Sequence, residues 1–219
     1  MKIYLISGFA LLSVAVSFVP AQDASPRTRA SVARDLDEIG RIACVMVDGD
    51  LCRQIMTRRS LERMFVVDPK DPWAASDDFN VNHEPYIQVK KTLIRLSRLL
   101  TYPCDVNLWM PFENRPDKIQ ILIRNANEWS QFWTWGDLNQ DMIPVMKQVL
   151  ETGVRQTVTQ KAGMISVLAP VRDSLDEIVG LVEVVSLDPS FSPPQVHARL
   201  RTGDHGSEAG KLGSAASNR

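Results

Sequence analysis

The stretch SVLAPVRDSLDEIVGLVEVV, residues 166–185, constrains the fold of this chain more than any other. Two apolar runs rich in β-branched residues flank a charged connector, residues 172–177. Branching at Cβ favours extended backbone, and a polar connector favours reversal. The pattern therefore predicts an antiparallel hairpin with both strands largely buried. Glu183 is the anomaly within it, a carboxylate set among Val182, Val184 and Val185. Such a group either reaches solvent or needs a partner. Nothing in the hairpin looks catalytic.

The rest of the chain reads as helices first and strands later. From about Ala30, apolar side chains recur at Val32, Leu36, Ile39, Ala43 and Met46, one face of a long helix. That helix stops at residues 47–50, where Gly49 permits a turn and Asp50 can cap a short helix over 51–56. Residues 66–82, with two prolines and Trp73, read as a connecting loop. A second long helix over 85–100 has Pro85 in its first turn and Tyr86, Val89, Leu93, Leu96 and Leu100 along its apolar stripe. Strands are expected over 105–112 and 118–124, with a turn at 113–117. Residues 125–140 form a looser segment, followed by a third helix over 141–151 that Gly153 stops. A short strand over 154–159 and a turn at 161–163 lead into the hairpin. Helices segregated from a mostly antiparallel sheet define an α+β architecture. There are no internal repeats.

At the N-terminus, Lys2, an apolar run over 3–19 and Val19-Pro20-Ala21 have the form of an export signal cut after Ala21. The expected organisation is a leader over 1–21, one domain over 22–188 and a disordered tail over 189–219, rich in proline, glycine, serine and charge. Export places the protein in the periplasm or outside the cell, with membrane attachment only if the leader stays uncut. A formal net charge of −1 gives no overall field toward nucleic acid. Cys44, Cys52 and Cys104 then sit in an oxidising compartment. On one unbroken helix Cys44 and Cys52 would lie about 12 Å apart, too far to bridge. A bridge from Cys104 to either, or three buried thiols, both remain open.

Three stretches carry a family likeness: residues 43–51 (ACVMVDGDL), residues 86–100 leading into Val106–Met110, and residues 163–173 with 178–182. Together they span roughly residues 31–187. The chain resembles the extracytoplasmic PAS-like sensor domains called Cache domains. The resemblance implies a five-stranded antiparallel sheet with a long N-terminal helix packed on one face. It also implies a small-molecule pocket on the other face, walled in part by the loop between the second and third strands. No later window is apolar enough to cross a bilayer, so a signal from this chain would have to pass through a partner protein.

Candidate ligand-binding residues follow from strand alternation and from aromatic content. Val106, Leu108, Met110 and Phe112 share one strand face, as do Ile119, Ile121 and Ile123 on the next strand, and these faces should meet the helices. Asn107 and Trp109, with Gln120 and Arg124, then fall on the pocket side. Arg124 could pair with a carboxylate ligand, or serve only as a locally paired strand-end charge. Ser166 and Glu183 are weaker candidates on later strands. Trp129, Trp133 and Trp135 lie in the loop segment NEWSQFWTWGD, where indoles either wall a pocket or pack as a lid. Asp48-Gly49-Asp50 lacks the ligand spacing of a calcium loop. His83, His197 and His205 are scattered, and no zinc, phosphate-loop or nucleophile-elbow motif occurs. These readings lead to an expected ligand-binding module with no catalytic role, metal or cofactor. Its partners would be a small molecule, possibly a carboxylate, and another protein or a second copy docked through the first helix. The competing expectation is a ligandless interaction module of the cell envelope.

Overall fold

The computed structural model describes residues 27–65, 80–134, 137 and 139–191. The expected leader, Trp135 and the tail beyond residue 191 lie outside the described residues, as does most of the expected loop over 66–82.

The chain enters through α1, Arg29–Met46, whose start is fixed by Thr28 and Ser31 in a reciprocal cap. Ser31 N–H donates to Thr28 Oγ1 at 3.1 Å and Thr28 N–H to Ser31 Oγ at 3.0 Å, satisfying two end donors. Val32, Leu36, Ile39, Gly40 and Ala43 are buried, and Val47 continues the stripe beyond the helix. Met46, expected on that stripe, is 58% exposed, because the buried line follows steps of three and four residues from Ala43 to Val47. The next helix, α2, spans Gly49–Arg53 and is capped by Asp48 rather than Asp50. Asp50 instead accepts from Ser174 N–H at 3.0 Å, tying α2 to the distant turn of the last hairpin. Two further helices follow, α3 (Arg58–Arg63) and α4 (His83–Ser97). Val89, Leu93 and Leu96 of α4 are buried as the stripe requires.

The strands are β1 (Asp105–Phe112), β2 (Arg115–Ile123), β3 (Gln140–Asp141), β4 (Gln156–Val158), β5 (Met164–Arg172) and β6 (Ile178–Leu187), with α5 (Pro144–Thr152) between β3 and β4. They form one antiparallel sheet of order β3-β2-β1-β6-β5-β4. The fold is α+β, with six strands rather than the expected five. The sixth is the two-residue β3, too short to show as a period in the sequence. The expected turn at 113–117 is tighter, since β2 already begins at Arg115. Gly153 ends α5 at φ 69°, a conformation that favours glycine.

Both faces of the sheet are covered. On one side α1, α2 and α4 close a core that includes Leu36, Leu93, Val106, Leu108, Val167 and Val182. On the other, Met146 and Val149 of α5 meet Trp109, Leu168, Leu181 and Trp133. A nine-residue helix has little stability of its own, so burial of this face holds α5 in place. The expectation that helices cover one face and leave the other open is therefore corrected. The apolar residues of α5 and the tryptophan segment have no other surface on which to bury.

Candidate functional site

The face expected to hold a pocket carries a polar network instead. Asn107 and Glu183 stand opposite each other on β1 and β6. Both are fully buried, and Asp105 nearly so. Glu183 accepts from Ser130 Oγ at 2.7 Å, Gln131 N–H at 2.7 Å, Ser166 Oγ at 2.9 Å and Trp109 Nε1 at 3.0 Å. Asn107 Nδ2 donates to Trp129 O at 2.7 Å, and its Oδ1 accepts from Asn125 N–H at 3.2 Å. Asp105 accepts from Asn127 Nδ2 at 2.9 Å and from Trp129 N–H at 3.0 Å. Burial pushes the Glu183 carboxyl above its ordinary range, while the donors from Ser130, Gln131, Trp109 and Ser166 pull the other way. These three polar side chains bind the backbone of residues 125–131, which would otherwise bury unpaired N–H and C=O groups. Their polarity is spent on the chain itself.

Around this network the aromatics fill space. Trp109 is 1% exposed and meets Phe132 edge to face at 6.2 Å. Trp133 is buried, its Nε1 donating to Asp137 O at 3.1 Å, and the Arg124 guanidinium lies 3.9 Å above its ring. Arg124 also pairs with Glu128 at 3.4 Å. Trp129 is half-buried. Of the expected ligand-binding residues, Asn107, Trp109, Arg124, Trp129 and Trp133 thus come together as an internal seam between loop and sheet.

Gln120 is elsewhere. The pairs Leu108↔Ile123 and Trp109↔Ile121 leave Leu122 as an extra residue in β2. A bulge of this kind reverses the facing of every residue on one side of it. Ile119 and Ile121 consequently face Trp109, and Leu122 and Ile123 both join the helix-side core. The expected common face for Ile119, Ile121 and Ile123 is corrected, and so is the placement of Gln120 beside Asn107 and Trp109. Gln120 lines a separate cleft.

That cleft arises where the sheet parts. Pairing of β1 with β6 stops at Trp109↔Leu181, although β1 runs on to Phe112 and β6 begins at Ile178. Pro111 has no N–H to give either neighbour. The parted ends border an open cleft of about 550 Å³ lined by Met110, Phe112, Gln120, Leu122, Ile178 and Val179, among others. Cys52, Arg53 and Met56 wall one side, and Met142, Lys147, Leu150 and Glu151 wall the other. Gln120 is 2% exposed, and its Oε1 has no hydrogen-bond partner. A buried carbonyl without a donor costs about 1–3 kcal/mol, and this oxygen is sealed from solvent and out of reach of anything in the cleft. Arg53 at the rim is engaged with Asp173 at 2.9 Å and Glu177 at 3.4 Å, and Lys147 with Glu151 at 3.8 Å.

Sequence reasoning missed the cleft and the anchoring roles of Asp105, Ser130 and Gln131. Asp105 was legible in part, since it precedes Asn107 by two residues and so shares its strand face. The parting of β1 from β6 left only Pro111 as a trace. Cys44, Cys52 and Cys104 are all free. Burial pushes the Cys52 and Cys104 thiols up to about 12. Among the described residues no group of three or more His, Cys, Asp or Glu side chains is placed to hold a metal ion. None of the described helices is long and apolar enough to cross a membrane. No family model, no curated protein and no solved structure matches the chain.

Proposed function

We propose that this chain is an exported, Cache-like small-molecule-binding module whose ligand occupies the cleft between the parted ends of β1 and β6. The observation that carries the reading is the cavity of about 550 Å³ itself, with apolar walls from Met110, Phe112, Leu122, Ile178 and Val179 and the charged side chains of Arg53, Glu113, Lys147 and Glu151 also in its lining. Ligand pockets run to about 300–1,000 Å³ and combine apolar walls with a few oriented polar groups. The PAS-like resemblance is supported by the five longer strands and by α1 lying along β5 and β6. It locates the pocket differently, because the loop after β2 fills the sheet face with its own tryptophans. A guest in the cleft would touch α2 and α5 together, the elements on opposite sides of the sheet. Their relative position is what a partner protein would read. The carboxylate expected at Arg124 is set aside, since its guanidinium lies against the Trp133 ring and its Nη1, 3.4 Å from Glu128 and without a hydrogen bond, is sealed from solvent.

The test is a metabolite screen by thermal shift, repeated on Ile178→Trp, which fills the cleft from a half-buried position. Binders should raise the melting temperature of the parent and leave the variant unmoved. Equal shifts in both proteins would remove the cleft as the site, and no binder in a broad screen would count against a ligand altogether.

A second reading, a self-pairing module, draws on α1. Val45 is 79% exposed and Met46 58% exposed at its C-terminal end. A second copy docked there would bury both, and light scattering on Val45→Glu would show a dimer converted to monomer.

A further inference from the structure

We infer that the outer face of α4 is a docking surface for an anionic lipid bilayer, with the helix lying against the headgroups. The inference is independent of the cleft and adds a second surface to the molecule.

Positive charge is concentrated here. From Pro85 to Cys104 the chain has Lys90, Lys91, Arg95 and Arg98 and no aspartate or glutamate. Ile87, Lys91, Ile94 and Arg98 recur at steps of four, three and four, one line down α4 and its cap, opposite the buried Val89, Leu93 and Leu96. Lys90 and Arg95 flank that line. Elsewhere α1, α3 and α5 each carry a carboxylate within a turn of a cation: Glu38 with Arg41, Glu62 with Arg58, Glu151 with Lys147. Lys91, Arg95 and Arg98 are exposed and have no carboxylate partner among the described residues. Apolar side chains share the surface, Ile87 at 45% exposed and Leu99, just past the cap, at 56%. A bilayer interface satisfies both kinds of group, since phosphates meet the cations and the acyl boundary takes the aliphatic chains. A soluble polyanion would leave Ile87 and Leu99 in water. The net charge of −1 does not oppose docking, because charges more than about 10 Å away are largely screened at 0.1 M salt. The chain also enters at this place. Arg27, the first described residue, stacks 4.7 Å above the Tyr102 ring, and Tyr102 closely follows Arg98. The apolar run over 3–19 therefore joins the domain beside this helix end, and a leader left uncut would hold α4 at the membrane.

The experiment measures co-sedimentation of the full chain with vesicles of phosphatidylcholine alone and of phosphatidylcholine containing about one-third phosphatidylglycerol. A retained leader binds both kinds and cancels in the ratio of the two partition coefficients. At low salt the parent should prefer the anionic vesicles on the order of 100-fold, and about 1 M salt, which shortens the screening length to about 3 Å, should abolish the preference. Lys91→Gln combined with Arg98→Gln should cut the preference roughly 25-fold, at about fivefold per cation. Both side chains are exposed, so this variant should keep the parent's melting temperature. Lys118→Gln combined with Lys147→Gln, an equal loss of charge on β2 and α5, should leave the preference unchanged. Ile87→Gln should weaken binding to anionic vesicles about fivefold and leave binding to heparin, a soluble polyanion, unaltered. No preference for anionic vesicles, or an equal loss in the Lys118 and Lys147 variant, would overturn the proposal. Heparin bound more tightly than the vesicles, with Ile87→Gln affecting neither, would assign the face to a soluble polyanion and overturn the bilayer.

Discussion

Replacing Glu183 by alanine probes the seam that holds the tryptophan loop to the sheet. Four donors reach this carboxylate within 3.0 Å: Ser130 Oγ, Gln131 N–H, Ser166 Oγ and Trp109 Nε1. The two serine hydroxyls can rotate toward other acceptors when the carboxylate is gone. The indole of Trp109 and the amide of Gln131 cannot, and each stranded donor costs about 1–3 kcal/mol. Relief from burying the carboxyl offsets part of that loss, since buried ionisable groups are themselves expensive. The net destabilisation should be about 3 kcal/mol, against a total of about 5–15 kcal/mol for a domain of ordinary stability. Asp105 and Asn107 still hold residues 125–129, so the loop should loosen chiefly over 130–133. Urea unfolding followed by tryptophan emission measures both effects, a lower midpoint and a red shift of the native spectrum. Ser166→Ala, which removes one donor and leaves three, should cost about 1 kcal/mol. An alanine variant at 183 no less stable than Ser166→Ala would refute the idea that this carboxylate fastens the loop.

The remaining predictions concern titration, close contact and thiol reactivity. Burial raises the Glu183 pKa above its ordinary 4.5, so the folded state holds this proton more tightly than the unfolded one. Stability from this group is therefore present below pH 4.5 and declines as pH rises through the folded pKa. In urea titrations against pH, the difference between parent and Glu183→Gln should show that decline, and a flat difference would contradict it. A Cβ on Gly49 would strike the Arg172 carbonyl and come within 2.7 Å of Val179 Cγ2. Gly49→Ala should therefore cost about 2–3 kcal/mol in chemical denaturation, although alanine is the better helix former. Cys52 and Cys104 are buried with thiols near 12, and Cys44 is half-buried with its thiol also raised by burial. Labelling of native protein with a disulfide reagent should be slow and reach Cys44 first, as mass spectrometry of the peptides would show.

Much of the architecture was legible because it depends on periodicity. The stripe through Val32, Leu36, Ile39 and Ala43 and the β-branched runs of the last hairpin each have one way to bury their apolar residues. The candidate site was legible only in pieces. Asn107, Trp109, Ser166 and Glu183 do converge, yet their partners are backbone and side-chain groups of residues 125–131. Strand alternation reports which residues share a face and says nothing of what lies over it. The extra residue Leu122 defeated the reading of β2, because bulges leave no period and here both Leu122 and Ile123 are apolar. Gln120 was singled out on the wrong face for that reason. The cleft depends on where two strands cease to pair, a tertiary event with no local residue pattern beyond Pro111.

The most direct test of the account is methyl NMR on protein labelled at the methionine ε-carbons, titrated with a binder found in the thermal-shift screen. Met56, Met110 and Met142 line the cleft, whereas Met146 is fully buried among Trp109, Trp133, Leu168 and Leu181 and does not line it. The account predicts saturable shifts at Met56, Met110 and Met142 with Met146 unmoved. Shifts at Met146 without any at the cleft methyls, or no shifts at all, would contradict it.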